Sequence, residues 1–263
     1  MSESARTNLQ GKPWAHQLSQ HQSEPWANGS GILILSGVLI VWFGSLAFRY
    51  TSDAAFSAAM IWLVGLMFWL LFQIKIGRDH LPEKRAFLFP TIFQALSPTL
   101  LTVALAFLQP DFQTAVVSVA KGVSIIELVA IHGLRLAAWG TIVKYQQGQL
   151  PRYFYRYASL PDFGFAILAI AAFAGLGLTG YPVPDVLLYA FSIVGAAAFL
   201  GAAITMYFGV PGTLISHRWP YVKKGEEAPT LLPFRWPMNL APAFCGPAFW
   251  LAHALLVIKI ASV

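Results

Sequence analysis

Seven stretches of this sequence are 19 to 29 residues long and mostly apolar, and a water-soluble fold has no place for so many. The cleanest is "GILILSGVLIVWFGSLAF", closed by Arg49. About 20 such residues carry a helix across roughly 30 Å of hydrocarbon. In that solvent only helices and closed barrels satisfy every backbone polar group. The spans read at 31–49, 55–74, 88–108, 115–143, 162–180, 184–208 and 241–261. Composition agrees: 57% of the 263 residues are apolar and 11% charged, whereas a soluble domain carries about a quarter charged residues. The expected fold is therefore all-α, an integral membrane bundle of about seven transmembrane helices. Pro90 and Pro98 fall inside the third span, where neighbouring helices can satisfy the carbonyls they free. "LTGYPVPD" leaves so little room that the fifth and sixth spans should form a tight antiparallel hairpin.

Lys and Arg set the expected orientation. Lys75, Arg78, Lys84 and Arg85 lie in one loop, Lys144, Arg152 and Arg156 in a second, and Arg218, Lys223, Lys224 and Arg235 in a third. The alternate loops hold almost none, and positive loops stay cytoplasmic. Residues 1–30 then form a polar cytoplasmic tail, with Trp14 and Trp26 able to sit at headgroup level, and lack the basic-then-apolar start of a cleavable signal. Residues 31–263 form the transmembrane domain, with the C-terminus outside. Loops near Tyr50, Asp111 and Pro182 should share the outer side. The net charge of +6 lies mostly in the inner loops, where it meets anionic lipid headgroups and calls for no nucleic acid. A single cysteine, Cys245, excludes an intrachain disulfide and a multi-cysteine metal site.

The fourth span carries ionisable residues where charge is expensive: "SIIELVAIHGLRLAAWG" holds Glu127, His132 and Arg135. At about 100° per residue, Lys121, Ser124, Leu128, His132, Arg135 and Trp139 fall on one stripe, with Glu127 on its flank. An unpaired charge on lipid is costly, so the stripe should face the bundle interior. His132 lies about 18 Å along the axis from Lys144, near mid-membrane, and His253 reaches similar depth about 16 Å beyond Pro242. Glu127 and Arg135 are about 12 Å apart along one helix and cannot pair. Each needs a partner elsewhere, such as Gln94, Tyr189, Thr205 or a ligand. Glu127, His132, Arg135, Ser124 and His253 are thus the candidate ligand-binding residues. No metal or cofactor is expected, with one alternative: His132 and His253 as paired axial ligands of a b-type haem. The plainer reading has each imidazole bonded to a neighbouring helix.

Known catalytic patterns of membrane enzymes are missing, which leans against an enzyme. There is no H-E-x-x-H, too few histidines for a histidine-rich di-iron site, and no aspartate-rich prenyl-diphosphate motif. Retinal attachment needs a lysine near the middle of the last helix, and Lys259 is close to its end. The glycine and alanine spacings, such as "GAAAFLGAA", suit close helix packing.

Downstream, Arg135 is followed by Gly148, Leu150, Pro151 and Phe154, then Pro161 and Asp162 opening the next span. This stretch of about 40 residues resembles a pattern in small polytopic bacterial membrane proteins of unknown function, departing where a glycine usually precedes the aspartate. The resemblance implies the inner membrane of a bacterium and a helical topology, and no activity. Asp162 itself suits a helix N-cap, and the Tyr153, Tyr155 and Tyr157 run with Arg152 and Arg156 suits an interfacial anchor. The plan is similar to cytochrome oxidase subunit III in length and in its early glutamate, but lacks that family's late histidine- and glycine-rich stretch.

Three functions fit these residues. The first is a non-catalytic accessory subunit or a small-molecule or lipid binder, partnered by membrane lipids or by subunits of a larger complex. The second is a small-solute or proton-coupled transporter, which would ideally show repeats or matched broken helices. The third is a membrane enzyme or haem carrier.

Overall fold

The computed structural model describes residues 30–79, 88–180, 183–208 and 238–262. These residues are helical, with no strand among them. Helix α1 is Ser30–Tyr50, α2 Asp53–Asp79, α3 Leu88–Leu108 and α4 Pro110–Gly122. Helix α5 runs Ile125–Gln146, α6 Arg152–Thr179, α7 Asp185–Phe208 and α8 Ala241–Ala261. Six of these are long and apolar enough to cross a membrane, and α3 with α4 form a bent pair that brings the number to seven.

The expected fourth span at 115–143 is not one helix. Gln109 takes an extended conformation (φ −120°, ψ 104°), because a residue preceding proline is pushed out of the α region. Pro110 then starts α4, turned 108° from the axis of α3. Val123 and Ser124 are extended in turn, at ψ 142° and 148°. The Ser124 hydroxyl accepts the Glu127 backbone N–H at 3.0 Å and so caps α5. The crossing helix therefore begins at Ile125, and α4 covers one end of the bundle through Phe112, Ala115, Val119 and Ala120.

Contacts place the helix ends. Arg49 at the end of α1 pairs with Glu127 at the start of α5, and the Tyr50 ring packs on Gly122. Lys259 Nζ donates to the Lys121 carbonyl at 2.9 Å. The α1–α2 junction, α4 and the end of α8 thus share one end of the bundle. Asp111, on α4, belongs to it as expected, and Pro182 lies outside the described residues. At the opposite end, Asn239 Nδ2 donates to the Gln73 carbonyl at 2.9 Å, and Leu150, Tyr153, Phe154 and Met238 form a small cluster.

Helix α8 is the centre, with 67% of its apolar window buried against 17–39% for the other spans. Lipid tails give helix association no hydrophobic drive, so close packing of small residues does that work; Ala120, Ala166, Ala169 and Ala252 are all fully buried. Outward-facing apolar side chains are left bare, Phe107 at 82% and Leu178 at 87% exposure, which water would penalise and acyl chains do not.

Orientation across the membrane is tested by labelling. Thr114→Cys and Ser262→Cys at the α4 end should react with an impermeant thiol reagent in intact cells, while Gln146→Cys should stay protected until the cells are opened. The native Cys245 is buried and adds no background. The reverse pattern would place the α4 end in the cytoplasm.

Candidate functional site

Halfway along α5 the chain leaves α-helical geometry. Residues Ile131–Ala138 form a 3₁₀ stretch of 8 residues, longer than the three or four at which such runs usually stop. In a 3₁₀ helix positions i and i+3 eclipse. His132, Arg135 and Ala138 therefore stand in one line, and all three are buried. This line faces α6, α7 and α8.

Arg135 is the hub. Its Nε donates to Asp162 Oδ1 on α6 at 2.6 Å, and its Nη2 lies 2.5 Å from the same oxygen in an ion pair. Nη1 and Nη2 each reach the Gly195 carbonyl of α7 at 3.3 Å. Nη1 also lies 3.5 Å from His253 Nε2 on α8. The guanidinium is held between the Phe165 and Phe199 rings, 4.4 and 3.9 Å from their centroids. One side chain thus joins four helices. Charge neutralisation by Asp162, several hydrogen bonds and two aromatic faces together offset what a lone cation costs at this depth.

His132 and His253 stack on each other with centroids 3.9 Å apart and planes 21° from parallel. Phe165, Phe191 and Phe249 surround the His132 ring at 5.7–5.8 Å. Among the described residues, both His132 nitrogens, His253 Nδ1 and the Ser192 hydroxyl are buried with no hydrogen-bond partner. The plainer expectation, that each imidazole bonds a neighbouring helix, is met only by the His253 contact to Arg135. The two rings lie face to face in van der Waals contact, whereas paired axial histidines of a haem address one iron from opposite faces of the porphyrin. Among the described residues, no three His, Cys, Asp or Glu side chains converge on a point that could hold a metal ion.

The five candidate residues divide. His132, Arg135 and His253 come together at the bundle centre. Ser124 is instead the α5 cap, and Glu127, one turn further, lies at the α4 end, where it bonds both Arg49 and the Trp42 indole. Of the partners expected for these charges, Tyr189 and Thr205 serve neither, and the side chain of Gln94 lies outside the described residues. Asp162 is not an N-cap, since the helix runs through it from Ser159 without a side-chain cap. Its selection as part of the Arg135 pattern was the available signal, and its role as the counter-ion was the part that pattern did not supply.

Beside the ion pair lies a cavity of about 490 Å³, within the 300–1,000 Å³ usual for small-molecule sites. Its walls are apolar apart from Arg135, Asp162, Thr141, Ser159 and a few lesser groups, and Phe199 and Trp250 line it as well. It extends from the middle of the bundle to Gly31 and Met238, away from the α4 end. Two π-helical stretches, Tyr155–Ser159 and Ala241–Cys245, contribute Ser159 and Cys245 to the wall, and the 3₁₀ stretch contributes Arg135. Among the described residues, these three departures from α geometry therefore border one space; π-bulges commonly mark functional sites.

No protein-family model, no curated protein and no solved structure matches the chain.

Proposed function

We propose that this protein binds an amphiphilic small molecule or lipid within the membrane, its tail along the apolar wall and its head at Asp162 and Ser159. The reading places the chain in a bacterial inner membrane with the N-terminus cytoplasmic, following the basic loops and the resemblance of the 135–162 stretch. One observation carries it: a ligand-sized, mostly apolar cavity within the bundle, with Arg135, Asp162, Ser159 and Thr141 in its wall. A non-enzymatic binder or subunit needs no more chemistry than this. The irregular segments of α5, α6 and α8 around the cavity favour one second reading, that the same ligand is carried across, since transporters build their sites from interrupted helices.

The experiment is to fill the cavity. Gly140 and Ala203 line it, and a Cβ built on Gly140 meets nothing within 4 Å, so Gly140→Phe and Ala203→Phe should fold. Wild-type protein purified in mild detergent should retain a defined organic molecule near one equivalent, identified by mass spectrometry, and both variants should retain at least tenfold less. Equal retention by the filled variants, or nothing above detergent background in the wild type, overturns the reading. Uptake into vesicles that Gly140→Phe abolishes would establish the transport form.

A further inference from the structure

We infer that the cavity selects amphiphiles whose head donates hydrogen bonds, a long-chain alcohol or amine, over those with a phosphate or carboxylate head; this deepens the binding reading above and rests on it. An arginine at a cavity wall first suggests an anion site, and the hydrogen bonds here argue the opposite. A guanidinium has five N–H groups. The Nε–H of Arg135 goes to Asp162 Oδ1, Nη1 and Nη2 each give one to the Gly195 carbonyl, Nη1 also faces His253 Nε2, and Nη2 lies against Asp162 Oδ1 in the ion pair. Two phenyl rings cover its faces, and its side chain has 0% exposure. Nothing is left for a ligand to accept from.

Asp162 is oriented the other way. Its side chain keeps 20% exposure, and both the hydrogen bond and the ion-pair contact from Arg135 fall on Oδ1. Among the described residues Oδ2 accepts no hydrogen bond, and Asp162 lines the cavity. Close by, the Thr141 hydroxyl spends its proton inside the protein, 2.7 Å from both the Ala138 carbonyl and Ser159 Oγ. The charged atom presented to a ligand is therefore an oxygen with free lone pairs. A hydroxyl or ammonium head satisfies it with a charge-assisted bond. A phosphate or carboxylate head would place like charges in contact where little water screens them.

Wild-type protein in an uncharged detergent would be titrated with radiolabelled hexadecanol, hexadecylamine, hexadecyl phosphate and palmitate, which share one chain length. The alcohol and amine should bind at least tenfold more tightly than the phosphate and palmitate, and Gly140→Phe should remove that binding. The paired variant Arg135→Gln/Asp162→Asn, which keeps shape and removes both charges, should narrow the alcohol-to-phosphate ratio to within about threefold. Phosphate or palmitate binding as tightly as the alcohol, in a manner lost in Gly140→Phe, overturns the head-group inference and leaves the binding reading intact. Binding of all four probes unchanged by Gly140→Phe overturns the cavity reading itself. The wild-type comparison decides the matter even if the paired variant does not fold.

Discussion

Replacing Arg135 with leucine should destabilise the protein by about 3–5 kcal/mol, the usual cost of removing one partner from a buried ion pair. The loss is larger than that of a surface pair because it leaves Asp162 without its counter-ion at mid-membrane and frees the Gly195 carbonyl as well. Asp162→Leu alone should be comparably damaging, since it strands the guanidinium. The double variant Arg135→Leu/Asp162→Leu removes both charges, and it should recover a large part of the stability lost in either single variant. Unfolding in detergent, followed by the dependence of helical signal on denaturant, measures all four corners of the cycle. If the double variant is destabilised by the sum of the single effects, the two side chains are not coupled and the pair is not the lock described here. The Arg49–Glu127 pair provides the contrast: its side chains are 42% and 25% exposed, and exposed pairs contribute about 0–1 kcal/mol.

Gly195→Ala should be the most damaging single-methyl change in the bundle. A Cβ on Gly195 would stand 2.3 Å from His253 Cε1, 2.4 Å from His253 Nε2 and 2.4 Å from Phe165 Cζ. Neither ring has freedom to withdraw: His253 is stacked on His132, and Phe165 lies under the Arg135 guanidinium. Over-packing a tight core costs about 1–3 kcal/mol, and here the displaced rings also support the ion pair, so the upper part of that range is expected. His253→Ala removes the imidazole side of this clash and, because the Phe165 ring packs against His253, leaves Phe165 a vacated space to move into. Gly195→Ala/His253→Ala should therefore be less stable than His253→Ala by under about 0.5 kcal/mol, the scatter expected of independent sites. A full penalty for Gly195→Ala in the His253→Ala background would show that the close approach of α7 and α8 is not what requires glycine.

The sequence by itself determined the solvent and the architecture. Runs of about twenty apolar residues call for membrane-crossing helices, and the cost of unpaired charge turns the His132 and Arg135 face of its helix inward and gives His253 a similar depth; the same cost turns Ser124 inward, whereas it is instead an exposed cap. It also held a signal that hydropathy alone overrides: Ser124 and Glu127 form S-x-x-E two residues after Gly122, a helix-start pattern. Read for hydropathy, 115–143 is one apolar stretch; read for capping, it breaks at Val123. The tertiary structure decided the pairings. Glu127 and Arg135 share a helix, yet Glu127 finds Arg49 of α1, and Arg135 finds Asp162 of α6. Periodicity gives the direction in which a side chain leaves its own helix, but which neighbouring helix stands there depends on how the helices pack. The 3₁₀ and π segments lie beyond sequence reading for the same reason. They differ from α-helix by one residue per hydrogen-bonded turn, a small energy that packing around the cavity is enough to overturn.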